Sequence, residues 1–263
     1  MTIRFGTMLV PRSGGSWVAA ARTAEQRGYH TLLLPDTLNT PSPFPALAAA
    51  AAVTTTLRLR PNVIAVPLHT PTAVVRETAA LQLLSDGRFE LGLGIGRPAA
   101  ESEAERLGRP WGSPGQRRAL LLETVTAVRA EVDPAPPIVV AASGARMLTA
   151  AAEFADRIVA ALLPDASERD VAQLISLVRD HTDRPIAFTS QLMGVGDVTS
   201  WSPAGQRFDV AQLREANSFG LLPGDPDAAA DILRHRRDEY GIDEVIVPGD
   251  LADAFAPIIE RLR

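Results

Sequence analysis

The hydrophobic positions of this chain follow two alternating registers. Short runs of branched apolar residues recur between longer stretches in which apolar residues return every three or four positions. The first register predicts strands and the second helices. The plainest case is 71–96, PTAVVRETAALQLLSDGRFELGLGIG. Val74, Val75, Ala79, Leu81, Leu83 and Leu84 give the first half a helical apolar face. Ser85-Asp86-Gly87 ends the helix, because glycine accepts the left-handed conformation a helix end often needs. A strand over 89–96 follows, in which Leu91, Leu93 and Ile95 alternate with Gly92, Gly94 and Gly96. One face of that strand carries no side chains. Two readings stand for such a face: a neighbour packed close against it, or space for a flat ligand. The spacing is not the G-x-G-x-x-G of a dinucleotide-binding loop.

Taken in order, the same signals predict strands over 3–10, 31–34, 57–66, 89–96, 137–142, 157–163, 185–193 and 244–247. Helices are predicted over 16–27, 46–53, 71–84, 116–131, 145–154, 168–180, 226–240 and 251–263. Pro61 interrupts the third strand, and a proline-rich loop over 41–45 precedes the second helix. Residues 97–115 read as an irregular loop with a short Glu-rich turn at 101–106, and 194–224 as the longest irregular segment. Asp225-Pro226 opens its helix with an N-cap and a first-turn proline. Eight strands alternating with eight helices, several strands being continuously apolar (TLLL, IVVAA, EVIV), suit a parallel sheet covered on both faces. The expected fold is a (β/α)8 TIM barrel, which typically takes about 250 residues. An open doubly wound sheet is the runner-up. No linker divides the chain, so residues 1–263 are expected to form one domain.

Composition narrows the function classes. A 46% apolar, 22% charged chain with net charge −5 has no basic run, which argues against nucleic acid as a partner. There is no cysteine, which excludes disulfides and thiol chemistry and fits a reducing cytoplasm. The N-terminal residues lead straight into an apolar alternation without a signal-peptide pattern, and the longest apolar run, 46–53, is too short to span a bilayer. The four histidines (His30, His69, His181, His235) are scattered, so no histidine-based metal motif exists; a carboxylate-only site stays open.

In a barrel the working face is the C-terminal end of the strands. That rule selects Asp36, Asn62, Arg97 and Ser143-Gly144 among others. Asp36 could anchor its loop by accepting backbone N–H bonds, or serve a substrate or cofactor. Asn62, on a proline-interrupted strand, marks a plausible bulge. Ser143-Gly144 opens a helix whose free N–H groups could take a phosphate. Arg97 is either a solvent-facing cation or an anion holder. Trp111 and Trp201 either pack their loops or wall a pocket for a flat ring, whereas Trp17 reads as core. No nucleophile set and no acid/base pair stand out, which suits a reaction whose hard step a cofactor carries.

Several segments in this order resemble the luciferase-like monooxygenase family of flavin- and deazaflavin-dependent barrels: RFGTMLV, AARTAEQRGYHTLLLPD, FPALAAAAAVTTTLRLRPNVI, TPTAVVRETAALQLLSDGRFELGLGIG, PPIVVAASGARMLTAAAEFAD and GDPDAAADILRHRRDEYGIDEVIV. The resemblance implies a (β/α)8 barrel, a homodimer, and coenzyme F420, with FMN as the alternative. It implies an oxidoreductase that passes hydride between that cofactor and a small organic substrate. Asn62, Val63, Ile64 and Ala65 would back the ring, with Gly96 beside it; Ser143, Gly144 and Arg146 would sit near the phosphate. Asp36, Thr37, Arg97 and Glu101 are the candidate catalytic positions.

This sequence departs from the family pattern in four places. Asp36-Thr37 stands where many relatives have Asp-His, and Thr70-Pro71 where many have His-Pro, with His69 one place earlier. Arg97 replaces a common Trp or Glu, and the usual long insertion is absent. A second reading is therefore a cofactor-free descendant that uses the mouth for a non-redox reaction or for ligand binding, with Arg97 holding the carboxylate of a small acid.

Overall fold

The structure is a computed structural model that describes residues 2–202 and 205–263. By its contacts the chain divides into two units. One comprises residues up to Met8, Arg27–Tyr29 and Ala142–Arg263; the other comprises Leu9–Gln26 and His30–Ala141.

The elements follow the predicted alternation. They begin with β1 (Arg4–Met8), α1 (Gly14–Gln26), β2 (Thr31–Leu34), α2 (Pro43–Ala51), β3 (Arg58–Pro61), β4 (Ile64–Ala65), α3 (Pro71–Leu84) and β5 (Leu91–Gly94). Next come α4 (Ala100–Arg106), α5 (Pro114–Glu131), β6 (Ile138–Ala142), α6 (Ala145–Ala152), β7 (Arg157–Ala160), α7 (Glu168–Arg179) and β8 (Ala187–Gln191). The chain closes with β9 (Gly194–Val195), β10 (Val198–Thr199), α8 (Val210–Glu215), β11 (Leu221–Leu222), α9 (Pro226–Tyr240), β12 (Ile242–Pro248) and α10 (Ala252–Leu262).

In the second unit β2 runs parallel to β3, and β4, β5 and β6 run parallel in that order. A bridge between Leu59 and Phe89 lays β3 beside the approach to β5. β3 and β4 are therefore one predicted strand broken at residues 62–63, where the peptide bond is cis. In the first unit β1, β12, β8 and β7 are parallel neighbours. These strands are buried from both sides, as continuous apolar runs require.

Three expectations need correction. The second helix begins at Pro43 rather than 46, because prolines in a first turn give up N–H groups that have no helical partner there. The turn at 101–106 is a helix, α4, since Ala100, Glu103 and Ala104 recur at helical spacing and are buried. The segment 194–224 is not irregular: β9 pairs antiparallel with β10 and parallel with β11, and α8 is capped by Asp209. Residues 203 and 204 of that segment lie outside the described residues.

Buried ion pairs lie at the strand starts. Arg60, fully buried, donates to Glu90 at 2.8 Å, and Arg58 to the same carboxylate at 2.5 Å. In the other unit Arg157 forks onto Asp243 at 2.5 and 3.0 Å, while Thr189 donates to Glu244 at 2.8 Å. Charges at such depth persist only when paired like this. Among the described residues no helix is long and apolar enough to cross a membrane.

Candidate active site

The site is built around the broken third strand. Asn62 N–H donates to the Leu34 carbonyl at 2.7 Å, which keeps the chain in register with β2 up to the break. The chain then bulges through Asn62 and Val63, both partly exposed, and resumes as β4. Room for the bulge comes from the glycine strand. A Cβ on Gly92 would collide with the Pro61 carbonyl oxygen, and one on Gly94 would lie 2.8 Å from a Val63 methyl. At Gly96, with φ +86°, a Cβ would lie 2.6 Å from the Trp111 ring. Of the two readings of the bare face, close packing holds: the space beside the glycines is filled by the bulge and by Trp111.

Asp36 ties that bulge to two other segments. Its Oδ2 accepts the Ala65 N–H at 3.0 Å and meets His69 Nε2 at 2.8 Å. Its carboxylate is thus a loop anchor and the partner of an imidazole. His69 ends a short 3-10 turn over Val66–Leu68. Its carbonyl accepts from Arg109 at 2.7 Å, and its ring stands edge-on to Phe44, 6.2 Å between centroids. Thr37 is bound within its own loop, with Oγ1 accepting the Asn39 N–H at 3.1 Å and lying 3.1 Å from the Thr40 hydroxyl.

Helix α4 closes over the far side of the bulge. Ala104 packs with Ala65 and Leu68, and Trp111 leans on that cluster. Arg117 stacks on Trp111 at 4.2 Å and donates to the Ile95 and Gly112 carbonyls at 2.9 and 2.7 Å. Arg97 forms a short ion pair with the buried Glu103, so its charge is balanced within the loop. The other Glu103 oxygen, Oε2, is buried without a hydrogen-bond partner. Glu101 stands exposed on the opposite side of α4.

Of the candidate positions, Asp36, Thr37, Asn62, Val63, Ile64, Ala65, Gly96, Arg97 and Glu101 all belong to the second unit. Ser143, Gly144 and Arg146 belong to the first, exposed at the start of α6; Gly144 is the N-cap, and Ser143 does not cap by its side chain. Trp201 is exposed, with Arg207 4.9 Å above its ring, and Trp17 is core, its Nε1 donating to the Ala46 carbonyl at 2.7 Å. The sequence reading leaves two residues out of the candidate site. Glu103 was findable, because Ala100, Glu103 and Ala104 share one helical face and Glu101 does not. His69 was visible as a lone titratable residue, but its pairing with Asp36, 33 positions away, has no local signal. Among the described residues no group of three or more His, Cys, Asp or Glu side chains could hold a metal ion.

Solved structures share the fold. The coenzyme F420-dependent tetrahydromethanopterin reductase from Methanopyrus kandleri matches with a TM-score of 0.80 at 15% identity, over 100% of both chains. A riboflavin lyase in complex with modified FMN and riboflavin matches with a TM-score of 0.78 at 14% identity, over 100% of this chain and 92% of that one. An F420-dependent secondary alcohol dehydrogenase, bound to an F420–acetone adduct, matches with a TM-score of 0.74 at 15% identity over 100% of both. The fold is accordingly a (β/α)8 barrel, as the alternation of elements predicts. The model of the luciferase-like monooxygenases matches residues 3–195, and the chain belongs to that family.

Proposed function

We propose that this chain is an F420-dependent oxidoreductase, with FMN as the alternative cofactor, that passes hydride between the cofactor and a small organic substrate. The observation that carries the reading is the pinned bulge. Its backbone is held on one side by the glycine strand and on the other, through Ala65, by Asp36, so the partly exposed Asn62 and Val63, with buried Ile64 and Ala65 behind them, offer a fixed rest of the kind a flat ring needs. As the family resemblance implies, the ring would lie against the bulge; the glycines serve it by making room for that bulge rather than by leaving a slot of their own. When bound, the cofactor supplies the two-electron chemistry. The residues present fit that division of labour. Asn62 and Val63 are accessible, Asp36 and His69 are the only Asp–His pair at the bulge among the described residues, and Trp111 flanks the rim. Ser143, Gly144 and Arg146 remain the proposed phosphate contacts, supported by the helix start they occupy.

The neighbours named above are F420-dependent or are bound to modified FMN, which supports a deazaflavin or flavin here without choosing between them. Arg97 gives less support to the cofactor-free reading than its exposure in a loop suggests, because Glu103 already holds it. A homodimer belongs to the same proposal: Leu83 and Leu84 of α3 and Leu122 of α5, on two helices that pack together, are all exposed. Absorption and fluorescence titration of the protein with F420 and with FMN tests the reading. Saturable quenching of one of them at micromolar protein is expected; no binding of either at high micromolar concentration overturns it.

A further inference from the structure

From the Asp36–His69 pair we infer that His69 is the proton-transfer residue of this chain and that its substrate carries a carbonyl, or the alcohol formed from it. The inference rests on the reading of the bulge as the cofactor rest. One carboxylate oxygen accepts the N–H of Ala65, in β4 two residues past the bulge, and meets Nε2 of His69. The imidazole is thereby fixed beside the same backbone on which the ring would lie. Asp36 is 9% exposed and the His69 side chain 22%, so the carboxylate is sheltered while the imidazole reaches solvent. With Nε2 committed to Asp36, Nδ1 is the nitrogen left for a substrate oxygen. Two other groups packed against His69 do not compete for it: Arg109 binds its backbone carbonyl, and Phe44 packs an apolar ring perpendicular to the imidazole. Thr37, the neighbour of Asp36, is tied to Asn39 and Thr40.

The step balances as follows. A hydride from the reduced deazaflavin or flavin forms a C–H bond at the carbonyl carbon, and the C=O π bond breaks with its pair passing to oxygen. That oxygen takes the Nδ1 proton of the His69 imidazolium. His69 is left neutral and regains a proton from water, matched by the one proton that leaves the oxidised cofactor. The carbonyl gains two electrons and the cofactor loses two. In the reverse direction Nδ1 accepts the hydroxyl proton. Asp36 is a positioning residue, which fixes the tautomer and the ring plane.

The test uses the full chain in two measurements. Long-range 1H–15N spectra of the cofactor-free protein should show neutral His69 protonated on Nε2, with mixed tautomers in D36N; the same tautomer in both overturns the role of Asp36. Single-turnover reduction of cyclohexanone and benzaldehyde by reduced F420 or FMN then separates the residue from the cofactor. H69Q should keep cofactor affinity within about threefold and lose about 100-fold or more in rate, the scale of general acid catalysis. Free imidazole should restore H69G at least tenfold. Turnover by H69Q within threefold of wild type overturns the inference and leaves the cofactor reading intact. Cofactor binding without reduction of either probe overturns the carbonyl assignment. Failure of both cofactors to bind removes the cofactor reading, and this inference with it.

Discussion

At the scale of single residues, the glycines of β5 and the carboxylate of Asp36 explain why the third strand can break and still be held. Gly92 is the strictest position, since its missing Cβ is the space of the Pro61 carbonyl, a backbone group that cannot swing aside. G92A is expected to destabilise the protein by about 2 kcal/mol, the usual cost of overpacking a filled site, read as a fall in melting temperature. G14A, in the first turn of α1 with nothing within 4 Å of its Cβ, is expected to be neutral or slightly stabilising in the same measurement. Equal losses in the two variants would mean that the close approach at β5 does not matter. The sequence displays these glycines but not their purpose. An alternating Gly strand reads alike whether a ligand or a backbone carbonyl fills its bare face, and only the partner strand decides between them. His69 is the opposite case, a residue with no pattern of its own whose meaning comes from a contact across 33 positions.

At the scale of elements, most starts and stops were legible because local chemistry sets them. Asp225 accepts the Ala228 N–H at 2.9 Å, Pro226 fills the first helical position, and Gly241 closes α9 in the left-handed region with φ 72°. Ser113 and Gln116 form a capping box at the start of α5. What was not legible is the small sheet of β9, β10 and β11, whose two-residue strands carry no periodicity to read. One tertiary tie between elements has a measurable pH signature. Glu25 on α1 reaches the turn before β3, where Oε1 accepts the N–H groups of Thr55, Thr56 and Leu57 and the Thr56 hydroxyl, at 2.6 to 3.0 Å. Burial pushes its pKa up, but those donors outweigh it and hold the group below its ordinary 4.5. A carboxyl depressed in the folded state stabilises above its unfolded pKa, and that contribution is lost as the pH falls through the folded value. E25Q is therefore expected to flatten the acid limb of the stability–pH curve below about pH 4.5, measured by denaturant unfolding at several pH values. An unchanged acid limb would remove Glu25 from the account.

At the scale of the whole molecule, alternation alone predicts the (β/α)8 class, because parallel strands with helices between them leave few ways to bury both faces of a sheet. Membership of the luciferase-like monooxygenases then sets the expectation of a deazaflavin or flavin. The departures from the family pattern, Thr37 and Arg97 above all, find local explanations: a loop that satisfies its own hydroxyls, and an ion pair with Glu103. The central claim is that the broken third strand, clasped by β5 and Asp36, is a seat for a tricyclic ring. The direct measurement is the electron density of a crystal soaked with F420 and, separately, with FMN. The account predicts that one of the two rings lies in van der Waals contact with the backbone of residues 62–65, within reach of His69. A bound ring away from that bulge, or density for neither cofactor, would contradict it.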